Sequence, residues 1–403
     1  ERPLIVKVLS MPRRRVALAF TAVLATATLL AGCSSPAPQP SATTPGDAAV
    51  TLTDETRATL QKLFDDGVAA SGMPGAAAYV RIGDKEWTAV AGVSDLATQE
   101  PFDPADHVRI ASNTKPFVAT VVLQLEDEGA LSLDDVLETY VPGIPNGDSI
   151  TIRDLLQMSS GIWDLTSDDA LMAQWADDLT MPWTVDESIA LMRENPSRFE
   201  PGSKVVYTDS NYILLGRIAE LVTGTSLAEL VQSKILDALG LKETRFPTPD
   251  QADLPVPAAQ GYRPPGEQLG SLDELISVGD INPEVAWGAG NMSSTLGDLA
   301  IWADALADGT LLSPELQAER IAARQFDGQT IEFGYGLGII RLGDFLGHDG
   351  AIVGHSSAVF RLPADDATFV IVGNASSNFT TPTMDIFLSM VKELYPDQLR
   401  PVE

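Results

Sequence analysis

Ser112-Asn113-Thr114-Lys115-Pro116 opens an apolar run, and its proline constrains the fold around it more tightly than any other residue in the chain. Proline has no amide hydrogen, so Pro116 belongs in the first turn of a helix and not deeper. The helix therefore starts at about Asn113, with Phe117, Val118, Val121, Val122 and Leu125 as its buried stripe. That start puts Ser112 at the positive end of the helix, where a developing alkoxide is favoured. Lys115 projects back over the same face. A serine and a lysine at this spacing make a nucleophile–base pair for acyl transfer. The lysine can serve as base only if burial lowers its pKa or a neighbour relays the proton.

The spacing alone selects little, since Ser389-Met390-Val391-Lys392 repeats it inside a C-terminal helix. Order and context discriminate. Tyr207-Thr208-Asp209 follows a turn at Pro201-Gly202-Ser203 and precedes an apolar helix over 211–221, whereas Tyr395-Pro396-Asp397 lacks that setting. Tyr207 is the candidate relay. Asp209 reads equally as a part of the site or as the N-cap of the helix after it. His348-Asp349-Gly350 is expected just before a strand, with Gly350 letting backbone approach a substrate. The amides of Ser112 and Ala351 would pair as an oxyanion hole. A Ser-His-Asp triad through His348 stays open as a second arrangement, one that leaves Lys115 idle.

Other chemistries have little to draw on. The histidines number three (His107, His348, His355), and Cys33 is the lone cysteine. No His-Glu-x-x-His, Cys-x-x-Cys, Gly-x-Ser-x-Gly or Walker-type loop is present, so neither a metal nor a cofactor is expected.

The N-terminus reads as a separate segment. Arg13-Arg14-Arg15 precedes an apolar core from Val16 to Ala31, an export signal too short to span a bilayer. Leu30-Ala31-Gly32-Cys33 resembles the lipobox of bacterial lipoproteins, which would make Cys33 the lipidated first residue of the mature chain. A plain signal peptide is the other reading. Residues before Met11 look like an over-extended start. We divide the chain into a signal at 1–32, a lipidated Ser/Pro-rich tether at 33–50, an α/β part at 51–111 and 286–403, and a mainly helical part at 112–285. Losing the one acidic and five basic residues of 1–32 takes the net charge from −30 to −34. So acidic a surface argues against nucleic acid and against a polybasic membrane patch, leaving attachment to the lipid alone.

Periodicity fills in the rest. A helix is expected over 53–70, a hairpin over 76–82 and 87–93 around Gly83-Asp84-Lys85, and a capping box at Thr184 with Glu187. Gly129 and Gly224 sit where helix C-caps belong. The stretch 250–280 is loop-rich. A helix at 298–306, strands at 336–342, 355–362 and 368–373, and a helix at 382–394 follow. Strands at both ends with helices between predict one sheet assembled from both termini around an inserted helical region, with the site at their junction.

Together these residues resemble the penicillin-recognising serine hydrolases: class C β-lactamases, D-alanyl-D-alanine carboxypeptidases and related esterases. The likeness covers most of 50–376 and extends to 109–129, 150–162, 211–216 and 287–309. It implies an acyl-enzyme on Ser112, a three-layer α/β/α domain, an all-helical domain and no metal. It also implies substrate contacts from Asp209, His348, Asp349, Gly350 and Trp287. The expected partner is a small-molecule or peptide substrate with an acyl group, bound by a monomer on the outer side of the bacterial cytoplasmic membrane. Departures from the pattern are specific. Asp209 stands where the family usually has asparagine, Asp349 and Ala351 stand where hydroxyl residues often grip a substrate carboxylate, and Met158 replaces a frequent histidine. Arg341, just upstream, is the candidate replacement cation. A carboxypeptidase, an esterase or amidase on neutral substrates, a β-lactamase and a non-catalytic envelope-binding lipoprotein are the readings carried forward.

Overall fold

Gly83 and Asp84 turn the chain between β1 (Gly75–Ile82) and β2 (Lys85–Asp95), with Ile82 paired to Lys85 across them. Gly83 has a φ of 59°, the left-handed backbone that a tight hairpin takes at its first central position. β3 (Glu100–Pro101) extends the β2 edge. Four short strands then pair outside this sheet: β4 (Val108–Arg109), β5 (Gly261–Arg263), β6 (Ile276–Val278) and β7 (Ser293–Ser294), as β4 with β7 and β5 with β6. The C-terminal part supplies β8 (Arg324–Gln325), β9 (Phe333–Tyr335), β10 (Ile340–Leu342), β11 (Phe345–Ile352), β12 (His355–Leu362) and β13 (Ala367–Gly373). These details come from a computed structural model that describes residues 50–402 apart from 267–268, 270–271 and 377–379. The export signal, Cys33 and all but the last residue of the tether lie outside the described residues.

Nine strands form one antiparallel sheet in the order β3-β2-β1-β13-β12-β11-β10-β9-β8. The two ends of the chain meet where β1 runs against β13, from Ala76 opposite Gly373 to Ile82 opposite Ala367. Both faces are covered, and side-chain alternation shows how. Phe360 and Phe369 contact Phe387 of the Pro382–Leu394 helix on one face. Their neighbours Arg361 and Thr368 bond Asp304 of the Leu296–Asp308 helix on the other. α1 (Asp54–Ser71), capped by Thr53, lies on the Phe387 side. A Cβ at its Gly67 would meet Ile386 Cγ1 at 2.6 Å. Helix, sheet and helix make the three layers.

Between the sheet halves run α2 (Thr114–Asp127), α3 (Ile152–Leu156), α4 (Asp169–Asp177), α5 (Val185–Glu194) and α6 (Ser210–Thr223). Thr184 and Glu187 form the capping box of α5, and Gly224 (φ 67°) ends α6. α2 differs from expectation in having no exposed side over its first ten residues. Phe117 stacks on Trp302 at 3.8 Å, and the Pro116 carbonyl accepts from buried Arg320. Two strand assignments also change. The run 336–342 is strand only from Ile340, because Gly338 adopts a φ of 76° and its amide bonds the Leu156 carbonyl. The loop-rich 250–280 stretch contains the β5–β6 pair.

Candidate active site

Ser112 lies in a single 3-10 turn, Ala111–Asn113, directly ahead of α2. Ala111 before it has a φ of 51°, a left-handed conformation that costs a non-glycine residue on the order of 1 kcal/mol. The surroundings fix it there. Ile110 N–H donates to the Met292 carbonyl at 2.9 Å, the Ser357 hydroxyl donates to the Ile110 carbonyl at 2.8 Å, and Asn113 Nδ2 donates to Ser357 Oγ at 2.8 Å. β11 closes the other side. A Cβ on Gly350 would lie 2.4 Å from the Ile110 oxygen and 3.0 Å from the Ser112 nitrogen. A close approach that Gly350 permits is thus to the Ser112 turn itself.

One helical turn on, the Lys115 side chain is fully buried. Its ammonium donates to Ser112 Oγ (2.9 Å), Asp209 Oδ1 (2.6 Å) and the Ala289 carbonyl (2.7 Å), which uses all three hydrogens. Burial pushes the Lys115 pKa down, and Asp209 pulls part of the way back. Asp209 therefore resolves its two readings. It sits at the N-terminus of α6 but makes no side-chain cap bond, because its carboxylate is spent on the lysine.

The Tyr207 ring lies 4.8 Å from the Lys115 nitrogen. Its hydroxyl is buried beside Ser112, close enough to interact but without a partner in good hydrogen-bond geometry. Burial, followed by the Asp209 charge, holds this phenol well above its ordinary pKa, so it is neutral at working pH. A neutral phenol passes a proton along; it does not abstract one as phenolate.

The His348-Asp349-Gly350 segment lies inside β11, not ahead of a strand. β11 and β12 close through the two-residue turn Val353-Gly354, which puts Ile352 opposite His355 and Ala351 opposite Ser356. Antiparallel alternation then leaves Ala351 in a non-bonded pair, its amide pointing away from β12 and free of that ladder. An oxyanion amide needs that freedom. His348 is buried, with Nδ1 at 2.6 Å from the Asp349 carbonyl and Nε2 at 3.0 Å from the Tyr335 hydroxyl. A carbonyl only accepts, so Nδ1 carries the hydrogen and Nε2 accepts from Tyr335. Burial lowers the His348 pKa to about 3. With both nitrogens engaged, the triad arrangement has no free base.

The Asp349 carboxyl, partly exposed beside this segment, is pushed up by burial to about 6. Asp164, absent from the sequence reading, accepts from the Thr208 hydroxyl (3.1 Å) and the Asp209 amide (3.2 Å) and so fixes the Tyr207–Asp209 segment. Burial and the neighbouring Asp209 both raise its pKa. Nothing in the sequence marked it, since its partners lie 44 and 45 residues away. The Ala289 carbonyl escaped for a simpler reason: a backbone acceptor leaves no side-chain signal.

Two expected contacts go elsewhere. Arg341 donates to the Gly343 carbonyl and Asp344 at 2.8 Å each, bracing its own hairpin turn, so it supplies no cation to the site. The Trp287 ring packs edge-on to Phe246 and over Gly216, filling a gap between helices that only glycine leaves. Met158 is buried and its sulfur takes Asn211 Nδ2 at 3.7 Å, a packing role. The repeated Ser-x-x-Lys resolves as chance, Ser389 bonding the Ile386 carbonyl while Lys392 is exposed. Among the described residues no three His, Cys, Asp or Glu side chains converge to hold a metal ion.

A serine hydroxyl, a buried amine, a neutral phenol and the end of β11 are brought together beside an antiparallel sheet, the set of groups that acyl transfer needs. The family model described as Beta-lactamase matches residues 60–388. This chain belongs to the beta-lactamase family, a family of serine hydrolases. Among solved structures it is similar to a D-stereospecific amidohydrolase from Streptomyces sp., with a TM-score of 0.74 and 30% identity over 84% of this chain and 98% of that one. The D-amino acid amidase from Ochrobactrum anthropi, complexed with L-phenylalanine amide, shares the fold at a TM-score of 0.71 and 24% identity, covering 85% and 99% of the two chains. Penicillin-binding protein 4* of Bacillus subtilis is 27% identical over 70% of this chain, which spans 64% of that relative's length.

Proposed function

We propose that this chain hydrolyses amides or esters that present no carboxylate beside the scissile bond, through an acyl-enzyme on Ser112. The carrying observation is charge. Lys115 is the cation at Ser112 and is already paired with Asp209, the Asp349 carboxyl acts on it at longer range, and Arg341 is turned away. Among the described residues such a site offers a peptide or β-lactam carboxylate no unpaired cation beside Ser112, and like charge opposes it. The 30% identical amidohydrolase supports the same substrate class, and D-aminoacyl amides are the first candidates.

In the reaction, Ser112 Oγ bonds the carbonyl carbon as its proton passes to Lys115 in the neutral form. The amides of Ser112 and Ala351 hold the oxyanion. Tyr207 hands the proton to the departing amine or alcohol, the C–N or C–O bond breaks, and water then releases the acyl group by the reverse relay. The test compares kcat/KM for D-phenylalanine amide, p-nitrophenyl butyrate and a D-Ala-D-Ala peptide, with Ser112→Ala as the blank. Amide and ester should exceed the peptide by about tenfold or more, the worth of one unfavourable charge contact. A peptide preference would restore the carboxypeptidase reading. Ligand binding with no turnover and no Ser112 adduct would point to a non-catalytic envelope protein.

Export and lipidation at Cys33 complete the proposal, on the strength of the Leu30–Cys33 pattern. Labelled palmitate should enter the full-length protein and not its Cys33→Ala variant.

A further inference from the structure

β4 and β7, the strand pair that leads into the Ser112 turn, also wall a small recess, partly open to solvent, with about 20 Å³ of room for a water-sized sphere. Arg109, Arg245, Asp253, Asn282, Asn291 and Ser293 are among its lining residues. Arg109 is buried, and its guanidinium donates to the Ala252 carbonyl at 3.0 Å. Arg245 donates to the Asp253 carbonyl. Neither arginine has an ion-pair partner among the described residues, although Asp253 and Asp280 act on Arg109 at longer range. Burial comes first in lowering the Arg109 pKa, to about 10, and the nearby Arg245 charge adds to it.

Four buried polar atoms in this wall lack a hydrogen-bond partner in the protein: Arg245 Nε, Asn291 Nδ2 and Oδ1, and Ser293 Oγ. Buried cations are normally paired and buried polar groups normally bonded. Buried Arg109 and half-exposed Arg245 share one recess without an ion pair to either, although Asp253 also lines it, and that is unusual in a chain of net charge −30. Guanidinium forks match an oxyanion, and the asparagine amide and serine hydroxyl supply further donors.

We propose that this recess binds a small oxyanion, held by Arg109 and Arg245 with Asn291 and Ser293 completing its hydrogen bonds. Occupancy would tie β4 to β7. The Ile110 amide, next after Arg109, bonds the Met292 carbonyl, next after Asn291, and Ala289 two residues earlier holds Lys115. A bound anion would thus brace the segments that carry both Ser112 and its amine. This inference stands apart from the hydrolytic reading, and its test does not use turnover.

The experiment follows Tm of the whole protein against sodium acetate and, separately, sodium phosphate, at constant ionic strength and pH. A saturable rise is expected with at least one of them; acetate alone marks a carboxylate ligand and phosphate alone an inorganic one. Arg245→Gln, at a half-exposed position that tolerates change, and Asn291→Ala should each weaken the apparent Kd about tenfold or more, the usual loss for a charge-assisted bond. Should Asn291→Ala fail to fold, Arg245→Gln decides alone. No saturable response to either anion, or the same response in wild type and variants, overturns the proposal and leaves a recess that holds water only.

Discussion

Asp209 is where one side chain changes the chemistry of the whole site. Its carboxylate favours the Lys115 cation, whereas burial favours the neutral amine that acylation requires. Asp209→Asn removes the opposing pull, so the Lys115 pKa should fall further. Activity that needs neutral lysine rises with pH through that pKa, and the ascending limb of kcat/KM should therefore move to lower pH in the variant. A pH profile that stays in place or moves upward would remove Lys115 from the base role. Gly350 acts by shape. Gly350→Ala places a methyl against the Ile110 carbonyl and the Ser112 amide, both backbone and unable to rotate aside. Displacing the nucleophile by even a fraction of an ångström should lower kcat about a hundredfold, with kcat against KM as the readout. Ser112, Lys115, Tyr207 and His348 were all legible as residues. Much of what they touch was not, because the Ala289 carbonyl and Tyr335 reach them only through the fold.

At the scale of elements, local chemistry wrote most boundaries into the sequence. Thr53 and Thr184 cap α1 and α5, Gly224 ends α6, and Gly83 turns the first hairpin, each by a bond or backbone angle made within a few residues. Where boundaries slipped, a distant element was responsible, as with the Leu156 carbonyl that pins Gly338 out of β10. Packing between helices gives a measurable case at Gly67. Alanine gains about 1 kcal/mol in helix propensity over glycine, but its methyl would press 2.6 Å from Ile386 Cγ1. Overpacking of that kind costs about 1–3 kcal/mol. Gly67→Ala should therefore lose about 1 kcal/mol in urea denaturation, against the gain expected of the same change on a free helix face.

For the molecule as a whole, acid stability depends on groups that folding keeps from titrating normally. His348 and His355 are both lowered to about 3 by burial, so below their ordinary pKa the unfolded chain takes protons that the folded one refuses. Each imidazole thus removes stability as pH falls from about 6.5 toward 3, by up to about 1.4 kcal/mol per pH unit. Asp349, raised to about 6, works in the opposite direction. The folded state keeps that proton between about pH 6 and 4 while the unfolded chain releases it. Asp349→Asn removes the compensation, and its Tm should drop more steeply than wild type between pH 6 and 4. Parallel curves would mean that Asp349 titrates as an ordinary exposed carboxyl. The sequence by itself determined the helix starts, the first hairpin, the assembly of one sheet from both ends and the placement of Ser112 one turn before Lys115, because caps, turns and periodicity act over a few residues. Only the tertiary structure decided that Lys115 is gripped by Asp209 and Ala289, that Arg341 serves its own turn, and that Asp164 holds the tyrosine segment. Those contacts join positions far apart in the chain, and their geometry exists only once the sheet and helices have packed.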